Sequence, residues 1–363
     1  MLPIKLEPRG ESARTVAYFT PLLAVILTMI GGFVLFALMG QDPLEALYVF
    51  FISPLTSYYG FSELLLKATP LGLIAVGLSI GFRANVWNIG AEGQLTLGAI
   101  FGGGMALAFY EMDGFWILPV MLIAGVLGGM VWAAIPAFLK TRFNTNEILT
   151  SLMLTYVATL LLSFLVHGPW RDPDGFNFPE SRLFWDSALL PALLEGTRLH
   201  VGSLLVPLVV AVAWVFLNRS FVGFQIKVMG LTPAAAGYAG FNQKRLTWLA
   251  LMIGGGLAGL AGVLEVAGPI GQLNPTISPG YGFTAIIVAF LGRLHPVGIF
   301  FAALLMALSY LGGEAMQIQM GLPLAVTGVF QGMILFFLLA SDVLIRYRLR
   351  FTMNSAKAGQ ESV

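Results

Sequence analysis

Residues 15–41, TVAYFTPLLAVILTMIGGFVLFALMGQ, run without a single charge. A secretory leader also opens on cations, as Lys5, Arg9 and Arg14 do here, but its apolar core is only ~7–15 residues and ends at a small-residue cleavage site. This run is roughly twice as long and no such site closes it, so it reads as a first membrane-spanning helix, for which ~20 residues suffice. The same texture continues along the 363 residues, of which 58% are hydrophobic and 10% charged, against ~25% charged in a soluble domain. So few charges cannot coat a soluble fold of this length, and a net charge of +1 offers little to a polyanion. The composition excludes a cytosolic enzyme, a disordered chain and a nucleic-acid binder. With no cysteine, there is no disulfide scaffold, thiolate metal site or catalytic thiol.

Nine further apolar stretches follow the first span (16–39): 64–82, 91–110, 115–139, 148–166, 201–217, 248–266, 281–291, 297–311 and 323–341. They predict an all-α polytopic membrane protein of about ten helices, with a transmembrane domain over residues 16–345 flanked by cytoplasmic ends at 1–15 and 346–363. The stretches 281–291 and 297–311 are short at ~1.5 Å per residue, the kind of broken element that transporters use for binding and gating. Threading ten spans with both termini inside places every lysine and arginine except Lys67, Arg171, Arg182 and Arg198 on the cytoplasmic side, as the positive-inside rule requires. Residues 167–200 then form an external segment and residues 218–247 a cytoplasmic loop. Neither has the length of an ATPase or receptor domain, so an energy source must come from another chain.

Three passages carry the polar text. Residues 81–94, GFRANVWNIGAEGQ, lie between two apolar runs. A charge such as Glu92 at bilayer depth costs at least ~2.5 kcal/mol, and broken backbone persists there only against protein or a water-lined path. Glu92 is therefore read either as lining a path or as a first-turn acid on a helix N-terminus. Residues 227–245, KVMGLTPAAAGYAGFNQKR, place Thr232 as N-cap and Pro233 at the first helical position, with Gly237 and Gly240 limiting the helix to about two turns. A short helix with a small-residue face suits close approach by another protein better than burial in lipid headgroups, where larger apolar residues are favoured. Residues 278–296, SPGYGFTAIIVAFLGRLHP, echo the first passage with a glycine-bearing entry, a short apolar run and an arginine.

Other signals carry no chemistry. Gly254, Gly256 and Gly259 match a dinucleotide fingerprint only in spacing. With no strand before them, they read as close-packing positions, as do Gly98, Gly102, Gly125 and Gly129. There is no phosphate-binding Walker loop. His167, His200 and His295 are scattered without metal-ligand spacing. No catalytic residue, metal or cofactor is indicated. An ion-coupled secondary transporter would need several ionisable groups at mid-membrane. The candidates are Glu92, Glu265 and Glu314, two of which thread to the outer end.

The segments NIGAEGQ (88–94) and GYGFTAIIVAFLGR (280–293) make the chain resemble the membrane permeases of ABC importers for branched-chain amino acids, ribose and nucleosides, especially the nucleoside and simple-sugar subgroup. The resemblance covers residues 15 to 345. It implies a permease that pairs with a homologous or identical permease, two cytoplasmic ATPase subunits and an external substrate-binding protein or lipoprotein. The coupling helix of that family maps onto Thr232, Pro233, Ala234, Ala235, Ala236, Gly237, Tyr238, Ala239 and Gly240. Gly237 replaces a basic residue common at that position. The substrate path would be lined by Asn85, Trp87, Asn88, Glu92, Gln94, Tyr281 and Thr284. Asn88, Glu92 and Gln94 suit ribose hydroxyls or base edges, and Trp87 or Tyr281 offers a ring face. The resemblance ranks nucleosides first as substrate, simple sugars second and branched-chain amino acids third.

Overall fold

In a computed structural model, residues 4–8 and 14–351 are described, and they form two units. The expectations for the outermost ends, including Arg9 and Lys357, lie outside the described residues. One unit comprises the stretches up to Tyr48 and from Leu322. Here α1 (Arg14–Leu38) packs on α13 (Ala325–Arg346), with Phe36 stacked on Phe330 at 5.5 Å. A short antiparallel ribbon, β1 (Ile4–Pro8) on β2 (Tyr347–Phe351), pairs Ile4 with Phe351. The architecture is helical as expected, with this one ribbon beside the helices.

The second unit, Val49–Gly321, holds the polar passages. Its helices are α3 (Tyr58–Arg83), α4 (Ala91–Ala108), α5 (Ile117–Phe143), α6 (Glu147–His167), α7 (Leu205–Arg219), α8 (Phe221–Leu231), α9 (Pro233–Tyr238), α10 (Gln243–Glu265), α11 (Tyr281–Leu291) and α12 (Pro296–Met320); the short α2 (Pro43–Phe51) contains the residue at which the units divide. Their ends follow local chemistry. Ser57 and Asn146 accept amide hydrogens at the starts of α3 and α6, while α5 closes on left-handed Asn144 with Lys140 and Arg142 in its last turn. Lys140 also pairs with Glu147 at 2.9 Å across the α5–α6 turn.

Seven helices among the described residues are long and apolar enough to cross a membrane: α1, α3, α5, α6, α7 with the turn before it, α10 and α12. The other three of the ten expected stretches fall outside this set. All ten stretches are helical: α4 is diluted by glycines and by Glu92 and Gln94, α11 has eleven residues, and α13 runs over Ala325–Arg346. The expectation of a short helix at 297–311 is corrected. Helix α12 continues to Met320 because Glu314, where the uncharged run breaks, pairs with Lys67 of α3 at 2.8 Å.

The core of this unit is a glycine seam where α4, α5 and α10 meet. A Cβ on Gly98 would overlap the Gly259 backbone, and one on Gly259 would overlap the Gly125 carbonyl. Close helix contact is what small residues permit where lipid supplies no hydrophobic drive. The seam uses Gly259, Gly98, Gly125 and Gly129 as expected, with Gly255 more tightly enclosed than Gly254 or Gly256.

Candidate functional site

The passage after α3 starts with a helix stop. The Val86 amide donates to Gly81 O at 2.9 Å and the Asn85 amide to Phe82 O at 3.1 Å, with Asn85 left-handed at φ 57°. This is a Schellman end, which Asn tolerates better than most residues. The exposed Asn85 carboxamide accepts from the Trp87 indole at 3.0 Å. Trp87 is half-buried and stacks with Phe82 and Phe290, the three rings lying 5.1–6.0 Å apart.

Further in, the polar residues close on one another. Asn88 Nδ2 donates to Gln94 Oε1 at 2.8 Å, and Gln94 Nε2 returns a bond to Asn88 Oδ1 at 3.1 Å. The same Oδ1 accepts the Gly90 amide at 3.0 Å. Both side chains are buried, as such pairing permits. Glu92, in the first turn of α4, reaches across to α11, where its Oε2 accepts the Gly282 amide at 2.6 Å. Beside it the Ser278 hydroxyl accepts the Gly280 amide at 3.2 Å and the Tyr281 amide at 3.0 Å. Two helix N-termini thus converge on one carboxylate, and negative charge is favoured at each. The approach needs glycine at 282, since a Cβ there would overlap the Glu92 backbone. Tyr281 and Thr284 are buried too: Thr284 Oγ1 lies 2.7 Å from the Tyr310 hydroxyl, and the Tyr281 and Tyr310 rings meet edge-on at 5.5 Å.

Of the seven proposed path residues, the structure joins Asn85 to Trp87, Asn88 to Gln94, and Glu92, Tyr281 and Thr284 around the start of α11. Asn85 and Trp87 retain accessible surface, whereas the other five are buried. The sequence reading missed Phe290, Tyr310 and an ion-pair cluster at the opposite end of the bundle. There Arg198 Nε meets Glu63 at 3.0 Å near Lys67–Glu314. The hydrogen bond from Glu63 raises the Arg198 pKa further above its ordinary value. No periodic signal could have paired residues 135 and 247 positions apart.

The docking-helix stretch is different in kind. Helix α9 spans Pro233–Tyr238, with Thr232 at its N-cap position but without a capping side-chain bond, and with Gly240 left-handed after it. Gln243 folds back to donate to Pro233 O at 2.7 Å. Thr232, Pro233, Ala234, Ala235, Gly237, Ala239 and Gly240 are exposed, and Tyr238 is 96% exposed. Ala236 alone is buried, in an apolar cluster with Ile80, Ala84, Val86, Met229 and Leu246. Nearby, Arg83 Nε donates to Leu294 O at 2.9 Å, tying the end of α3 to the turn between α11 and α12. Burial and then the Arg83 charge hold the His295 imidazole of that turn below its ordinary pKa. Among the described residues, no cluster of His, Asp or Glu could hold a metal ion.

A family profile described as the permease component of the branched-chain amino acid transport system matches residues 60–339. A glucose ABC transporter permease protein of Haloferax volcanii is 36% identical, the match covering 95% of this chain and 93% of that protein. A nucleoside ABC transporter permease protein of Lactococcus lactis is 27% identical over 95% of each chain. A guanosine ABC transporter permease protein of Bacillus subtilis is 28% identical over 93% of this chain and 96% of its own.

Proposed function

The chain belongs to the branched-chain amino acid transport system permease family, and from that premise we propose that it forms the translocation path of an ATP-driven importer of nucleosides. It is a multi-pass protein of the cell membrane and a transport subunit of an ABC transporter, working with ATPase and permease partners. In our reading the second permease is homologous or identical, two ATPases dock on the cytoplasmic face, and an external binding protein or lipoprotein delivers substrate. All ten helical stretches then traverse or enter the bilayer with both ends cytoplasmic, α4 and α11 as partial spans meeting at Glu92.

One observation carries the proposal: α9 is exposed on every residue but Ala236, and that residue is rooted beside Ala84 and Val86, which flank Asn85. Closure of the ATPase pair would press on the exposed surface around Tyr238. Ala236 would pass the displacement to the Ala84–Val86 segment, shifting Trp87 against Phe82 and Phe290. The permease itself makes and breaks no covalent bond. A nucleoside base matches the accessible Trp87 ring, and the Asn85 carboxamide offers hydrogen bonds. Deeper in the path, Glu92, Asn88 and Gln94 would act by holding its walls, since their polar atoms bond to one another and to α11.

A simple sugar is the second reading, favoured by the 36% identity to the glucose permease protein. Uptake by proteoliposomes holding the permease pair, the ATPases and the binding protein tests both. ATP-dependent accumulation of guanosine or adenosine, abolished by deleting residues 232–240, is expected; accumulation of glucose alone would select the sugar reading. Uptake by this chain alone on an ion gradient would instead make it a secondary transporter.

A further inference from the structure

A groove of about 700 Å³ runs along the second unit between α5 and α10. Its walls are apolar, formed by Val126, Met130, Met252, Leu257 and Leu260, and its mouth is cationic, with Lys244 and Arg245 one turn before Trp248. From Lys244 to Leu260, α10 rises ~24 Å at 1.5 Å per residue. One leaflet contributes ~15 Å of a hydrocarbon core ~30 Å thick, so the groove spans a headgroup layer and the full depth of a leaflet. The Trp248 indole donates to Thr141 Oγ1 at 3.0 Å, fixing the ring at the mouth, the level at which tryptophan marks the membrane interface.

The geometry points to a site for one anionic phospholipid, its phosphate on Lys244 and Arg245 and an acyl chain in the groove. Both cations are exposed, and no carboxylate among the described residues pairs with either. Basic pockets beside membrane helices recognise acidic headgroups in this way. The groove floor is lined by methionines and leucines, which conform to a flexible chain without demanding a shaped partner. A second copy is a poorer occupant. A two-fold interface places the same patch on both subunits and, centred on this groove, would set Lys244 and Arg245 against their own copies. The site lies directly after the docking helix, with Asn242 capping α10 through the Arg245 amide at 3.0 Å. A bound lipid would therefore anchor the base of that loop to the bilayer.

Native mass spectrometry and thermal melting of the purified full-length chain test the site, with phosphatidylglycerol, phosphatidylcholine of the same chains, and glycerol 3-phosphate as probes. Phosphatidylglycerol is expected to be retained and to raise the melting temperature, and the other two to do neither. The double change Lys244→Gln and Arg245→Gln should weaken phosphatidylglycerol binding at least tenfold while leaving the lipid-free melting temperature unchanged. Met252→Trp, which fills the groove and keeps both cations, should weaken it similarly. Equal retention of phosphatidylcholine, undiminished binding by these variants, or full competition by glycerol 3-phosphate would overturn the assignment. So would disulfide formation between two Met252→Cys chains, which would show the groove covered by a second copy. None of these readouts depends on transport or on the ATPases.

Discussion

The passage from Asn85 to Gln94 and the loop from Thr232 to Gly240 reverse what their residue types suggest. The first is rich in groups that bind ligands, yet Asn88, Glu92 and Gln94 are buried and spend their hydrogen bonds on each other and on the start of α11. The second is two-thirds alanine and glycine, yet it is the part left bare, with Tyr238 projecting into solvent. A polar residue at membrane depth must first satisfy itself, so its presence marks where backbone is broken before it marks where substrate binds. A run of small residues on an exposed turn has no such duty and remains available for docking.

The largest test of this contrast is Glu92→Leu. It removes the acceptor of the Gly282 amide, at ~1–3 kcal/mol for a buried donor left unsatisfied, so less folded protein should reach the membrane fraction. Glu92→Gln, which keeps an acceptor for the Gly282 amide, should accumulate and melt at an intermediate temperature. Equal loss in both would shift the emphasis from hydrogen bonding to charge. The Asn88–Gln94 pair predicts a smaller effect: Asn88→Leu or Gln94→Leu alone should each cost about 1–3 kcal/mol, and the double variant less than their sum, because one change has already orphaned the other partner. Additive losses in a thermal double-mutant cycle would mean that the two amides act separately.

On the other side of the comparison, Tyr238→Ala should leave the melting temperature unchanged, since the ring touches little. It should nevertheless lower substrate-stimulated ATP hydrolysis in the assembled transporter, an exposed tyrosine anchor being worth about 2 kcal/mol at an interface. The smallest effect lies in the segment before α7. Burial lowers the His200 pKa from 6.5 to about 4, and its Nδ1 lacks a partner. Between those values the unfolded segment takes up a proton that the folded one refuses. Stability is therefore full above pH 6.5 and declines as pH falls towards 4, with opening rising by up to ~10-fold per pH unit. Hydrogen exchange over residues 190–204 should show this, and His200→Phe should abolish it.

The helices were legible because apolar runs encode them locally. Even the weakness of 281–291 as a crossing was readable, since eleven residues cannot span the bilayer at helical rise. What escaped was everything set by distant partners. Helix α12 outruns its uncharged stretch because Lys67 meets Glu314, and Glu92 finds its donor 190 residues away. The motifs 88–94 and 280–293 meet through Glu92 and Gly282, a contact that neither motif shows in sequence. The resemblance implies a path-lining role for Asn85, and its left-handed backbone gives it a structural duty as well.

The central claim is that α9 receives the ATPase stroke, and the absence of cysteine from the sequence makes it directly measurable. Ala235→Cys provides a single thiol on the exposed face of α9, and Ser203→Cys a control at the opposite end of the bundle. In the assembled transporter, a short bifunctional reagent should join position 235 to the ATPase subunit with a yield that changes on ATP binding, and should never join position 203. If the thiol at 235 reacts freely with aqueous maleimide yet never reaches the ATPase in any nucleotide state, α9 is not the coupling helix.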